Sequence, residues 1–194
     1  VYGEEKLQTE EFLPWWESGW SLLLAAARQG IQAPLTSGMG RLFDGVAAIA
    51  GIGRKVNYEG QAAVALEQIL NENDKHAPYF LPLKAQGQEY EIDWRDLIAQ
   101  AAQDRLAGVA ACDISARFHR AVRDMAVAAA LLLRRESGVN TVALSGGCWQ
   151  NVWLLEQTTA MLQQQGFAVY SNQQVPVNDG GLAFGQAAVA AACQ

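Results

Sequence analysis

Histidine and cysteine are scarce in these 194 residues: there are two histidines, His76 and His119, and three cysteines, Cys112, Cys148 and Cys193. Neither histidine belongs to an H-x-x-x-H helix motif, so the chain by itself cannot assemble a His-rich metal site. The cysteines form no C-x-x-C pair and are too sparse for a disulfide framework, which fits a reducing, cytoplasmic compartment. Long apolar runs are missing as well. The stretch around residues 126–133 falls well short of the roughly 20 residues that span a bilayer, so no membrane association is expected. Glu4, Glu5 and Lys6 do not resemble a secretory leader, and no export signal is expected. Basic residues number 14 against 20 acidic ones, a net charge of -6 with no compensating Lys/Arg cluster. That balance repels a phosphate backbone and disfavours nucleic acid as a ligand.

What is present can build a core. Hydrophobic residues make up 51% and charged ones only 18%, a globular composition in a length that suits one domain or a large piece of a bigger one. Two regions differ in period. Up to Ser137 the apolar spacing is helical over residues 21–29, 41–50, 61–71, 94–106 and 114–137. The last is the longest, with Asp113 as a plausible N-cap and Gly138 as its stop. Between them, residues 79–83 and 89–92 form a candidate hairpin. Trp15, Trp16 and Trp20 are expected to anchor the helical body.

After Gly138 the pattern becomes a strand (141–144), a helix (149–165) and a second strand (167–170), a βαβ crossover with parallel strands. A final Ala-rich helix covers 182–192. Two strands are too few for a free-standing parallel sheet, so further elements are expected to complete it. The expected class is therefore α/β, predominantly helical with a short βαβ unit. Residues 1–110 are expected to form a helical subdomain, and residues 111–194 an α-β-α-β-α part.

Both strands run into glycine turns. Ser145-Gly146-Gly147 is expected where a strand ends and a helix begins, so free backbone N–H groups and the helix dipole favour an anion or polar ligand there. A plain tight turn is the competing reading. Asn151 offers both donor and acceptor to a nucleobase or ribose, or is simply an exposed first-turn residue. Asn178-Asp179-Gly180-Gly181 follows the second strand. Asp179 stands where a metal or nucleotide ligand is expected in α/β sheets, or serves as an N-cap in an ordinary turn. Two such turns side by side suggest a cleft. In the helical region, Asp44 could bond ribose hydroxyls or be a surface charge near a helix start, and Tyr58-Glu59-Gly60-Gln61 opens the next helix in a similar way. His119 reads as a packing histidine and Cys148 as structural, since no base stands near it in sequence.

These motifs share a pattern. Thr36-Ser-x-x-Gly-Arg-Leu-Phe-Asp44, Tyr58-Glu-Gly-Gln-Ala-Ala63, Phe118-His119, Leu144-Ser-Gly-Gly147 with Gln150-Asn151, and the run from Val175 through Asp179 to Gln186 resemble the C-terminal part of HypF-type carbamoyltransferases, enzymes of hydrogenase maturation. More distantly the chain is similar to tRNA threonylcarbamoyl-transferases and antibiotic O-carbamoyltransferases. The resemblance implies the C-terminal half of an actin-like ATPase fold of the sugar-kinase type. It implies an ATP-dependent carbamoyltransferase that converts carbamoyl phosphate and ATP, through carbamoyl-adenylate, into a carbamoylated C-terminal cysteine on a HypE-type partner. That product leads to the cyanide ligands of nickel-iron hydrogenase.

By the same resemblance Gly146, Gly147 and Asn151 contact adenosine, Asp44 the ribose and Gly60 the nucleotide rim. Asp179 is then one ligand of a divalent metal (iron, zinc or magnesium), completed by two histidines from the remainder of the polypeptide. The chain alone is expected to be inactive, with its nucleophile supplied by the partner. Gln61, Ala65, Cys148 and Trp149 depart from the wider superfamily's pattern. The other expectations are a non-catalytic docking fragment whose turns are purely structural, or an O- or N-carbamoyl- or threonylcarbamoyl-transferase of the same superfamily.

Overall fold

The computed structural model describes residues 20–53, 55–87 and 89–193, so Trp15 and Trp16 of the expected anchor lie outside the described residues. Helix α1 (Trp20–Arg28) leads through a loop to α2 (Met39–Ala50), whose apolar spacing buries Phe43, Val46, Ala47 and Ala50. Gly51, at φ 87°, ends α2 in the left-handed conformation that glycine adopts without strain. Helix α3 (Gln61–Gln68) starts at Gly60, also left-handed with φ 84°, and buries Ala62 and Leu66. It stops earlier than the apolar pattern suggests. The chain turns away there so that the Asn71 N–H reaches the Cys112 carbonyl.

A hairpin follows, but its first strand is displaced from the expected position. Strand β1 (Leu83–Gln86) pairs antiparallel with β2 (Glu89–Ile92). Pro82 has no N–H to contribute to a ladder, while Tyr79 and Leu81 just before it are buried in the core. The Tyr79 hydroxyl donates to Asp104 at 2.7 Å. Helix α4 (Arg95–Leu106) buries Leu97, Ala101 and Ala102.

Helix α5 (Ala111–Ser137) is the axis of the molecule and ends, as expected, at Gly138 with φ 73°. Its N-cap is Ala110 and not Asp113, which lies in the first turn and accepts a hydrogen bond from Asn71 Nδ2 at 2.7 Å. The first half of α5 buries Ile114, Phe118, Val122 and Met125 among α2, α3 and α4. Its second half turns Val127, with Ala130 and Leu131, toward a smaller cluster containing Leu144, Leu162 and Phe167.

That smaller cluster underlies the βαβ unit. Strand β3 (Thr141–Leu144) runs parallel to β4 (Ala168–Ser171), with Thr141 opposite Ala168 and Leu144 opposite Ser171. Between them stand a 3₁₀ turn (Gly147–Gln150) and α6 (Val152–Gln164). The expected single helix from 149 is thus divided, because Asn151 adopts an extended conformation and caps α6. A second 3₁₀ turn (Asp179–Gly181) precedes α7 (Leu182–Ala192). Among the described residues no helix is long and apolar enough to cross a membrane.

One side of the βαβ unit is bare. Thr141, Ala143, Ala168 and Tyr170 all face away from the core and are exposed. Helix α7 buries none of its residues, leaving Leu182, Phe184 and Val189 at 61%, 64% and 65% exposure. Parallel strands are normally covered on both faces, and an apolar helix left in water marks a contact surface.

Candidate functional site

Helix α2 carries Asp44 and helix α3 begins at Gly60, and the two meet at an open depression of about 390 Å³ lined also by Arg41, Tyr58 and Glu59. Arg41 spans it, donating to Asp44 at 3.0 Å and to Glu59 at 2.7 Å. Nearby, a Cβ on Gly53 would lie 2.6 Å from that of Ala62, so Gly53 packs directly on α3. The sequence therefore placed Asp44 and Gly60 on different helices, and the fold brings them to one depression. A larger groove, about 640 Å³, lies between residues 78–85, Tyr90 and α5, but it is mainly apolar and contains no expected site residue.

The two glycine turns also meet. The Gly146 N–H donates to the Val177 carbonyl at 2.8 Å, joining the turn after β3 to the loop that leads to Asp179. Gly146 has φ 108° and ψ 160°, a conformation reserved for glycine. No atom lies within 4 Å of where a Cβ would stand on Gly146 or Gly147, so their surface is open. On the other turn Gly181 is enclosed, since a Cβ would come within 2.3 Å of the Pro176 carbonyl oxygen. Asn178 caps this turn by accepting from the Gly180 N–H at 3.0 Å. Asp179 itself is exposed, and its carboxylate makes no hydrogen bond or ion pair to a described residue. Among the described residues no three His, Cys, Asp or Glu side chains gather to hold a metal.

The expectation of free amides at the start of the helix is corrected. Glu67 Oε1, from the end of α3, accepts from the N–H groups of Val152 at 2.7 Å and Trp153 at 3.2 Å. Asn151 Oδ1 accepts from Leu154 at 2.8 Å. The first amides of α6 are thus occupied by the protein's own oxygens, and a carboxylate already sits on the positive end of the dipole. The surface open to a ligand is the glycine turn ahead of the helix.

Asn151 is buried and is neither an exposed first-turn residue nor a free amide. Because its Oδ1 holds Leu154, its Nδ2 faces His119 Nε2 at 2.9 Å as a donor. His119 Nε2 must then accept, and Nδ1 must carry the proton, which it gives to the Ser115 carbonyl at 2.8 Å. The Ser115 hydroxyl in turn donates to the Leu66 carbonyl at 2.5 Å. The His119 ring is packed edge-on by Phe43, Phe118 and Trp153, with centroids 5.5, 5.6 and 5.9 Å away. It is a packing histidine, as expected. Ser115 stands one turn back on the same helix, but Asn151 lies 32 positions away, and nothing beside His119 in sequence points to it. Burial raises the Cys148 thiol above its usual range, against a role as nucleophile.

Burial pushes the His119 imidazole down to about 4, only partly offset by its bond to the Ser115 carbonyl. The unfolded chain takes up this proton near pH 6.5 and the folded one only near 4. Stability is therefore whole above pH 6.5 and falls by about 3 kcal/mol on the way to pH 4. Urea midpoints measured from pH 7.5 to 4 should show this decline, and a His119→Gln variant should lack that share of it.

Residues 3–186 match a family described as "Carbamoyltransferase, Kae1-like Domain, second subdomain". The chain belongs to the HypF carbamoyltransferase family. It is similar to the carbamoyltransferase HypF of Synechocystis sp. (39% identity, 80% of this chain) and of Rhodobacter capsulatus (37%, 86%). It spans about a fifth of the length of these relatives, 19% and 21% respectively. A crystal structure of full-length HypF in a phosphate- and nucleotide-bound form superposes with a TM-score of 0.88 at 37% identity, covering 93% of this chain and 24% of that one. The T. kodakarensis HypF structure does so at 0.73 with 26% identity, covering 93% and 23%. The family resemblance carried by the motifs is thus sound, and a transferase family is established for a chain of mixed helical architecture with two small sheets.

Proposed function

We propose that this chain supplies the nucleotide-holding part of a HypF-type carbamoyltransferase. The reading rests most on one observation, the junction of the two glycine turns through Gly146 and Val177, which opens a backbone surface two residues from the exposed Asp179. Gly146 and Gly147 let a flat adenosine approach the backbone where any side chain would hold it off. Asp44 and Gly60 take the ribose side, with Asp44 accepting from ribose hydroxyls. Asn151, with both ends of its amide committed to His119 and Leu154, shapes the pocket wall beneath the glycine turn. The enclosing fold we read as part of an actin-like ATPase domain.

In this reading carbamoyl phosphate, water and ATP give carbamoyl-adenylate with release of phosphate and pyrophosphate, and the carbamoyl carbon is then attacked by the terminal cysteine thiolate of a HypE-type partner. A C–S bond forms, the C–O bond to phosphate breaks, and AMP leaves with the electron pair. The chain's share is to fix the adenosine so that the carbonyl is held for attack. Asp179 fits a metal as one oxygen ligand, exposed and without a side-chain partner among the described residues, and two histidines of the same full-length polypeptide would complete the set. Such a metal, when bound, supplies Lewis-acid polarisation. The bare face of β3, β4 and α7 receives the remainder of the polypeptide, and the location is cytoplasmic.

Titrating ATP into the protein tests the reading. Binding should be saturable, and Asp44→Ala should weaken it about tenfold, the loss of one strong hydrogen bond. A flat titration of protein that is folded by circular dichroism would favour a docking module, for which the exposed apolar side of α7 speaks.

A further inference from the structure

Helix α3 joins the two parts of the candidate site. Its first residue follows Gly60, on the depression that holds Asp44, and its last turn carries Leu66 and Glu67. Both of these reach across the fold. The Leu66 carbonyl accepts from Ser115 Oγ on α5, and the Glu67 carboxylate accepts from the first two amides of α6. His119 holds Asn151, the residue that ends the 3₁₀ turn after Gly146 and caps α6. Phe43, the neighbour of Asp44 on α2, rests on the same imidazole. Every element bearing a site residue before β4 is therefore tied to Glu67, to His119 or to both.

We propose that Glu67 and His119 are positioning residues of the nucleotide site, clamping α3 to the start of α6 so that the Asp44–Gly60 side and the Gly146–Gly147 side keep a fixed separation. Neither touches the ligand. Glu67 is an oxygen acceptor for two N–H groups of α6, and its bonds bridge 85 and 86 positions of sequence. His119 is an acceptor for one amide hydrogen in a dry, aromatic-walled space, where a wrongly oriented Asn151 would leave polar atoms unpaired. An eight-residue helix secured at one end transmits that constraint to the other as a short rigid rod. The inference rests on the adenosine-site reading above.

The test is ATP affinity of the full-length protein by calorimetry, at a temperature where each variant is folded by circular dichroism. Glu67→Ala and His119→Leu should each weaken ATP about tenfold or more, comparable with losing one strong hydrogen bond. Glu67→Gln and His119→Gln keep an acceptor oxygen in place and should stay within about threefold of the wild type. A merely structural role lowers the melting temperature without moving the ATP affinity of the folded protein, and that pattern would overturn the proposal. If Asp44→Ala weakens ATP while Glu67→Ala and His119→Leu do not, the clamp is refuted and the nucleotide site stands. If Asp44→Ala is also silent, the site reading has failed and the clamp with it. Should His119→Leu not fold, Glu67→Ala decides alone, since Glu67 lies outside the buried core. In the unmodified protein the Val152 and Trp153 amides should exchange slowly with deuterium; fast exchange would equally sink the clamp.

Discussion

On the proposed function, Asp179→Ala in the full-length protein should abolish metal binding and lower carbamoyl transfer to a HypE-type partner at least about a hundredfold, while carbamoyl-adenylate formation continues. The residue stands on an exposed 3₁₀ turn whose shape depends on its neighbours and not on its own carboxylate. Asn178 caps the turn, Gly181 packs against Pro176, and the Asp179 side chain takes part in neither contact. Truncating it should leave the turn intact, so lost transfer would report lost ligation and not unfolding. Metal content by mass spectrometry, adenylate formation by pyrophosphate release and transfer by partner mass form the assay. Metal retained at the wild-type level would remove Asp179 from the ligand set.

The largest loss of stability is expected at Phe118→Ala, about 3–5 kcal/mol. Phe118 is fully buried on α5, at the centre of the larger core, with its ring edge-on to Phe43 at 4.7 Å. Alanine there removes the ring and leaves a cavity bounded by three helices that cannot collapse around it. The loss is a large share of the roughly 5–15 kcal/mol by which domains are stable. The urea midpoint should drop sharply. Phe43 also packs on His119, so the cavity opens beside the proposed clamp, and on that proposal ATP affinity should fall well before global unfolding does. A variant with an unchanged midpoint would show that α5 does not organise the core.

Much of the secondary structure was legible because it follows from period and punctuation. The spacing of Ile114, Phe118, Val122 and Met125 defined a helix face that is buried, and Gly138 stopped the helix where a left-handed residue was needed. The parallel pairing of β3 with β4 followed from strand, helix and strand in order. The misses have local causes. Pro82 displaced the first hairpin strand, and Asn151 broke one expected helix into a 3₁₀ turn and α6 by capping the latter. Asp113, chemically suited to cap α5, was instead taken by Asn71, 42 positions upstream.

The site divides the same way. Glycine needs at Gly60 and Gly146 are properties of the backbone at one position, so the sequence could single them out. Family membership was legible too, because it rests on motifs in order. The sequence alone did not determine whether the first N–H groups of α6 were free. That depended on Glu67, which lies 85 residues from Val152, and on the orientation of Asn151, fixed by an imidazole from α5. Local spacing determines which backbone conformations are affordable and which face of an element is apolar. Which donor meets which acceptor across the fold depends on how those faces pack, because burial leaves a polar group only the partners that packing brings within about 3 Å.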